Sequence, residues 1–281
     1  KTVFEYLLLT LTGIVAGSLG ALIGVGGGFI AVPLMILGLG MSPLAVVGTS
    51  ITMVFFNAIS GSLAYWRQQR IDLASGWRFA LATFPGAIIG SRLTEFFTGR
   101  SFSIAFGILL IILAVTMFGN GRFIKHRLND SEKHAINNCQ NRSLPFGWVE
   151  RAFRDIEGNE YCYRFNEYLG IVLSFGIGFI SSAIGIGGGI IHVPLLVLVL
   201  KFPPRVATAT SLFILTWSAL VGSMTHLTLG HFQWSLAIFL SVGGILGAQL
   251  GAAFSRRISG DSLVKTFALI LVIVGVKMIF D

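Results

Sequence analysis

The sequence predicts an all-α integral membrane protein made of two inverted repeats of about five transmembrane segments each. Three observations carry that reading. Of 281 residues, 54% are hydrophobic and only 11% charged, whereas a water-soluble domain places charge on about 25% of its residues. Apolar stretches near the ~20 residues that a helix needs to cross a hydrocarbon core recur along the chain, and backbone facing lipid must close its hydrogen bonds internally. Finally, residues 24–34 (GVGGGFIAVPL) and 185–195 (GIGGGIIHVPL) align at a shift of 161, as expected of one module written twice.

The alignment extends well beyond that core. Thr49-Ser50 meets Thr210-Ser211 and Gly61-Ser62 meets Gly222-Ser223; after a four-residue deletion, Trp77, Gly86, Gly90 and Leu93 meet Trp234, Gly243, Gly247 and Leu250. The first repeat, residues 1–120, therefore divides into Phe4 to Ile23, Gly28 to Leu39, Pro43 to Tyr65, Trp77 to Phe97 and Phe102 to Asn120. The second, residues 167–281, divides into Glu167 to Ile184, Gly189 to Leu200, Pro204 to His226, Trp234 to Ser255 and Ser262 to Phe280. The first segment runs past the length of a signal-peptide core and has a counterpart in the second repeat, so it reads as a mature helix.

A polar linker, residues 121–166, separates the repeats. Within it Trp148, Ala152, Phe153 and Ile156 are spaced like one apolar helix face, which predicts a helix on the membrane surface or packed under the bundle. Cys139 and Cys162 share this linker without a Cys-x-x-Cys pattern, so both read as free thiols in a reducing cytosol. His126, His134 and the two cysteines match no common zinc spacing, and no metal or other cofactor is expected.

Charge sets the orientation. With five crossings per repeat, equivalent loops face opposite compartments and should differ in Lys and Arg content. Arg67, Arg70 and Arg78 flank one loop whose counterpart, 228–234, has neither; the neutral turn 40–43 is matched by Lys201 and Arg205. Both termini then lie outside and the linker in the cytoplasm, leaving Lys1, Arg92, Arg100 and Lys277 near the outer face. The net charge of +8 is thus juxtamembrane, beside lipid, and nucleic acid is not an expected partner.

The second segment of each repeat is too short to span ~30 Å. Four glycines in five positions precede it, at Gly24, Gly26, Gly27 and Gly28 and again at Gly185, Gly187, Gly188 and Gly189, and Pro33 and Pro194 interrupt it. Paired Gly/Pro-broken segments at matching places in two halves point to a solute site, because unwound backbone at membrane depth is tolerated only in a protein interior or along a cavity. N–H groups at half-helix N-termini favour an anion. Elsewhere, at Gly13, Gly17, Gly86, Gly90, Gly243, Gly247 and Gly251, close helix packing is the better account.

Polar residues near the breaks complete the candidate set: Thr49, Ser50, Asn57 and Ser60 in the first repeat, and Thr210, Ser211, Trp217 and Ser218 in the second. They read either as ties between helices or as donors to a desolvated oxyanion. His192 replaces Ala31 of the first repeat and reads either as a packed neutral histidine or as a proton or anion partner. Arg92, matched by Gln249, either snorkels outward or attracts an anion.

The doubled Gly-x-Gly-Gly-Gly with its Pro-Leu, the Thr-Ser pair and the later Gly-x-x-x-Gly resemble the TauE/SafE sulfite-exporter family over both repeats. The resemblance implies a secondary transporter of sulfite, organosulfonates or related sulfur-containing anions, driven by the proton gradient. It implies that Gly26 to Gly28, Gly187 to Gly189, Thr49-Ser50 and Thr210-Ser211 line the path. The spans offer almost no carboxylates, so enzymatic chemistry is not expected. A passive anion channel stays open as the alternative, since broken helices also build filters. A homodimer stays open as well.

Overall fold

The structure, a computed structural model, describes residues 3–96, 99–119, 145–231, 233–255 and 260–280. Expectations placed on 121–144, including His126, His134 and Cys139, and on Lys1 lie outside the described residues.

Helix α1 is Val3–Ile23, and α2, Gly28–Pro33, runs into a π-helical turn, Leu34–Gly38; then follow α3, Pro43–Arg67, α4, Leu73–Leu93, with a 3-10 turn Thr94–Phe96, and α5, Gly99–Gly119. The second half repeats this order with α6, Glu167–Ile184, α7, Gly189–Pro194, with a π-helical turn Leu195–Val199, α8, Pro204–Thr228, α9, Trp234–Phe254, and α10, Gly260–Phe280. Both π turns begin right after a proline inside the short helix. Proline lacks the N–H that would close an i to i−4 bond, so the helix loosens there. Among the described residues, α1, α3, α6, α8 and α9 are long and apolar enough to cross a membrane. The chain is an all-α membrane protein.

The halves pack with an exchange pattern. Helix α1 lies on α9 and α4 on α6; α3 lies on α9 and α4 on α8; α3 meets α8, and α5 meets α10. Swapping the halves maps each pair onto another pair of the set or onto itself. Small residues set the spacing. A methyl on Gly243 would lie 2.9 Å from Gly13 Cα, and one on Gly86 would lie 2.9 Å from the Phe179 nitrogen, so backbones touch where a side chain would hold them apart.

Between the halves the structure corrects two expectations. Residues 148–156 are not a helix: Trp148–Arg154 is strand β1, paired antiparallel with β2, Glu160–Asn166, from Trp148 opposite Asn166 to Arg154 opposite Glu160. The strand period decides. Tyr161, Tyr163 and Phe165 are buried and alternate with the more exposed Glu160, Cys162 and Arg164, and their aromatic face packs on Phe202, 4.5 Å from the Tyr163 ring and 4.9 Å from the Phe165 ring. A helix through 148–156 would take from Tyr161 and Tyr163 the strand that closes their backbone bonds. Cys162 is not a free thiol either: it is disulfide-bonded, and no free cysteine exists among the described residues. Spacing misled because a disulfide needs Cα atoms within about 7 Å in space, whatever their separation along the chain.

The hairpin is bolted to one end of the bundle. Arg70, 1% exposed, reaches Asp155 at 3.4 Å and Glu157 at 2.7 Å. Tyr163 donates to Asp72 Oδ2 at 2.8 Å, while Asp72 Oδ1 caps α4 by accepting from the Ser75 N–H at 3.1 Å. Arg78 and Arg151 both pair with Glu167 at the start of α6.

Candidate functional site

The two glycine breaks meet each other. A methyl on Gly28 would lie 2.6 Å from the Ile186 carbonyl oxygen, and one on Gly189 would lie 2.8 Å from Val25 Cα. All residues from Gly24 to Gly28 and from Gly185 to Gly189 are buried. At Gly27 and Gly188, which precede the half-helices, φ is 81° and 65°, a left-handed turn that an L side chain resists.

Exchange-related hydroxyls hold these breaks. Ser50 of α3 donates to the Gly185 carbonyl at 2.8 Å, and Ser211 of α8 donates to the Gly24 carbonyl at 2.9 Å. Each half thus pins the other's unwound carbonyl, at the same shift of 161 that relates the two motifs. Val54 and Leu215, also related by that shift, fill the centre: both side chains abut Gly26, and Val54 abuts Gly187. Sequence reasoning missed this pair, although their shared register was readable.

The remaining predicted residues are dispersed around this centre or away from it. Buried Thr49 sits beside Ser50 with its hydroxyl unpartnered, and Thr210 accepts from the Asp72 N–H at 3.1 Å. Asn57 donates to the Gly17 and Gly244 carbonyls, each at 3.0 Å, and so ties α3 to α1 and α9; Ser60 donates to the Ile245 carbonyl at 2.9 Å. Ser218 is buried, and Trp217 stands edge-on to Trp77 at 4.8 Å with its indole nitrogen unpartnered. His192 Nε2 lies 3.1 Å from Ser174 Oγ, both buried. Arg92 is exposed in the last turn of α4 and does not join the buried set. Ser181, absent from the prediction, places an unpartnered hydroxyl 3.0 Å from the Cβ position of Gly188.

The α3–α4 and α8–α9 loops cover the opposite ends of this centre. Asp72, under the hairpin, reaches Thr210. At the other end the His231 carbonyl presses on Gly48, next to Thr49, so closely that no methyl fits. Among the described residues no group of His, Cys, Asp and Glu is arranged to hold a metal ion.

The sulfite exporter TauE/SafE family matches residues 9–278. The chain belongs to that family. This TauE/SafE protein is 33% identical to a Bacillus subtilis protein named a probable membrane transporter, YunE, over 99% of this chain and 98% of that one. It is 24% identical to a probable membrane transporter of Methanocaldococcus jannaschii, covering 99% and 98% of the two chains. An Arabidopsis thaliana protein named sulfite exporter TauE/SafE family protein 6 shares 32% identity over 39% of this chain and 25% of its own. No solved structure matches the TauE/SafE chain.

Proposed function

We propose that this protein is a secondary transporter that carries sulfite, an organosulfonate or a related small anion across the cytoplasmic membrane by alternating access. The observation that supports this most is the meeting of two unwound, glycine-built breaks, each pinned by a hydroxyl from the other half. Broken helices at matching places in two repeats are how transporters expose peptide dipoles to a solute without stranding them in lipid. Gly26 to Gly28, Gly187 to Gly189, Ser50, Ser211, Thr49 and Ser181 form the anion's surroundings, and Val54 and Leu215 close the space between them.

The halves are inverted relative to one another in this reading, so each loop closure serves one compartment. The Asp72–Thr210 contact under the hairpin shuts the inner side, and the His231 loop over Gly48 shuts the outer side. Lys and Arg bias places the hairpin in the cytoplasm. A bonded Cys162 pulls toward an oxidising compartment, but charge bias draws on many residues and outweighs it. No enzymatic step and no cofactor enter this scheme.

The test is flux in proteoliposomes. Sulfite, thiosulfate, sulfoacetate, taurine and sulfate are screened by thermal shift, and the binder is then followed with and without an imposed pH gradient. Accumulation against its gradient, abolished by a protonophore, is expected. Flux that only dissipates the anion gradient would make the protein a channel, and absence of flux for every anion would end the reading.

A further inference from the structure

His226 is fully buried near the end of α8, and its Nε2 lies 3.0 Å from the Ser182 carbonyl. Tyr65 occupies the same place in the first half, and its hydroxyl donates to the Ala21 carbonyl at 3.1 Å. Both donors and both acceptors are related by the shift of 161. The two halves therefore make one structural bond with two side chains, a phenol in one half and an imidazole, which has a second ring nitrogen, in the other.

Histidine brings further partners. His226 Nδ1 lies 3.3 Å from His231 Nδ1, and His231 Nε2 lies 3.7 Å from Glu95 Oε1 in the turn after α4. The proton count follows from what each atom can do. A carbonyl only accepts, so the hydrogen of neutral His226 is on Nε2. Its Nδ1 then accepts, and His231 must donate from Nδ1. That leaves His231 Nε2 facing a carboxylate oxygen. At 3.7 Å from a carboxylate that is 49% exposed, a neutral His231 is not tied to Glu95; with a second proton, an imidazolium faces the carboxylate.

We propose that His226, His231 and Glu95 form a proton-binding latch that holds one proton beyond the neutral histidines and the carboxylate, and that releasing it frees the α8–α9 loop. The cluster joins four elements. Thr94, beside Glu95, donates to the Ala183 carbonyl at 3.1 Å, so the α4 turn and His226 hold successive carbonyls at the end of α6. The His231 carbonyl presses on Gly48 of α3, so a released loop uncovers Thr49 and then Ser50, which holds the Gly185 break. The other charged side chains near this end, Arg92 of α4, Arg100 of α5 and Lys277 of α10, are exposed, and no ion pair joins them to the cluster among the described residues. From α3 and α6 the facing groups are the uncharged Gly48 and the Ser182 carbonyl. The latch is thus held while His231 keeps its second proton and is lost when that proton leaves.

Its place in a transport cycle rests on the carrier reading; the latch itself does not. Hydrogen exchange of the full chain in lipid nanodiscs, read by mass spectrometry at about pH 6 and about pH 8 and corrected for intrinsic rates, needs no substrate. Segments 226–231 and 94–96 are expected to exchange roughly tenfold faster at the higher pH. Glu95→Gln and His231→Gln should remove that difference, with the rest of the bundle protected as in the native chain. Equal protection at both pH values in the native chain, or a difference that survives in either variant, overturns the latch. If the difference behaves as expected while no anion is transported, the latch stands and the carrier reading falls.

Discussion

Tyr65 and His226 show how much one hydrogen bond carries in a dry interior. Each supplies the donor for a carbonyl in the last turn of the neighbouring helix, where no backbone N–H is available. Removing only the hydroxyl, in Tyr65→Phe, leaves the Ala21 oxygen buried and unpaired, at a cost of about 1–3 kcal/mol. Thermal unfolding in detergent should show a lower midpoint, whereas Tyr161→Phe in the hairpin, whose loss spares the membrane core, should lower it less. The seam between the breaks is as exacting. With Gly28 against the Ile186 carbonyl, Gly28→Ala must push the facing backbones apart, an overpacking cost of about 1–3 kcal/mol. The same assay should resolve it, while Gly176→Ala, at a position with open space around it, should come out milder.

At the scale of elements, the hairpin is an electrostatic clamp. Asp155 is buried, which would raise its pKa; the side chain and N–H of Asn159, the Tyr161 hydroxyl and the Arg70 charge outweigh this and hold it below the usual carboxylate range. Burial first, and the Asp155 carboxylate next, push the Tyr161 phenol up to about 12. A depressed carboxylate stabilises the docked hairpin above its unfolded pKa, about 3.9, and that contribution is lost as pH falls through the lower folded value. Proteolysis of 148–166 should therefore stay slow at neutral pH and accelerate under strong acid. Arg70→Ala should speed cleavage at neutral pH, because it removes the counter-charge of Asp155 and the partner of Glu157 while Asn159 and Tyr161 still hold the Asp155 carboxylate. Unchanged cleavage in Arg70→Ala would show that aromatic packing alone holds the hairpin.

The same element marks where the sequence was legible and where it was not. Glu167–Ile184 is a helix to the residue, as read, and the short broken helices begin at Gly28 and Gly189, because glycine runs and apolar length are local signals. Trp148, Ala152, Phe153 and Ile156 carried a helical spacing, yet the alternation of Tyr161, Tyr163 and Phe165 on the facing strand decided the structure, and a pairing partner is not a local property. Leu73 to Gly76 joined α4 because Asp72 caps it, a start signal masked by the charges around it. Thr49 and Ser50 were read as one pair, but only Ser50 reaches a break; their roles diverge through contacts made 135 residues away.

For the whole molecule, the exchange pattern of contacts makes both halves contribute to one centre, while His226 against Tyr65 makes the two closures chemically different. In the proposed carrier, the side chains Val54 and Leu215 stand beside the backbone seam of the two breaks and form part of the central barrier. Shortening both, in Val54→Ala with Leu215→Ala, is expected to leave a leak that dissipates anion gradients without a pH requirement. Tight coupling in that double variant would mean that the closures at the ends, not the centre, form the barrier. The most direct test of the account is sulfite flux in proteoliposomes for Gly27→Leu and Gly188→Leu, with membrane insertion checked in parallel. The account predicts that both insert and that neither transports; native flux in either one would contradict it.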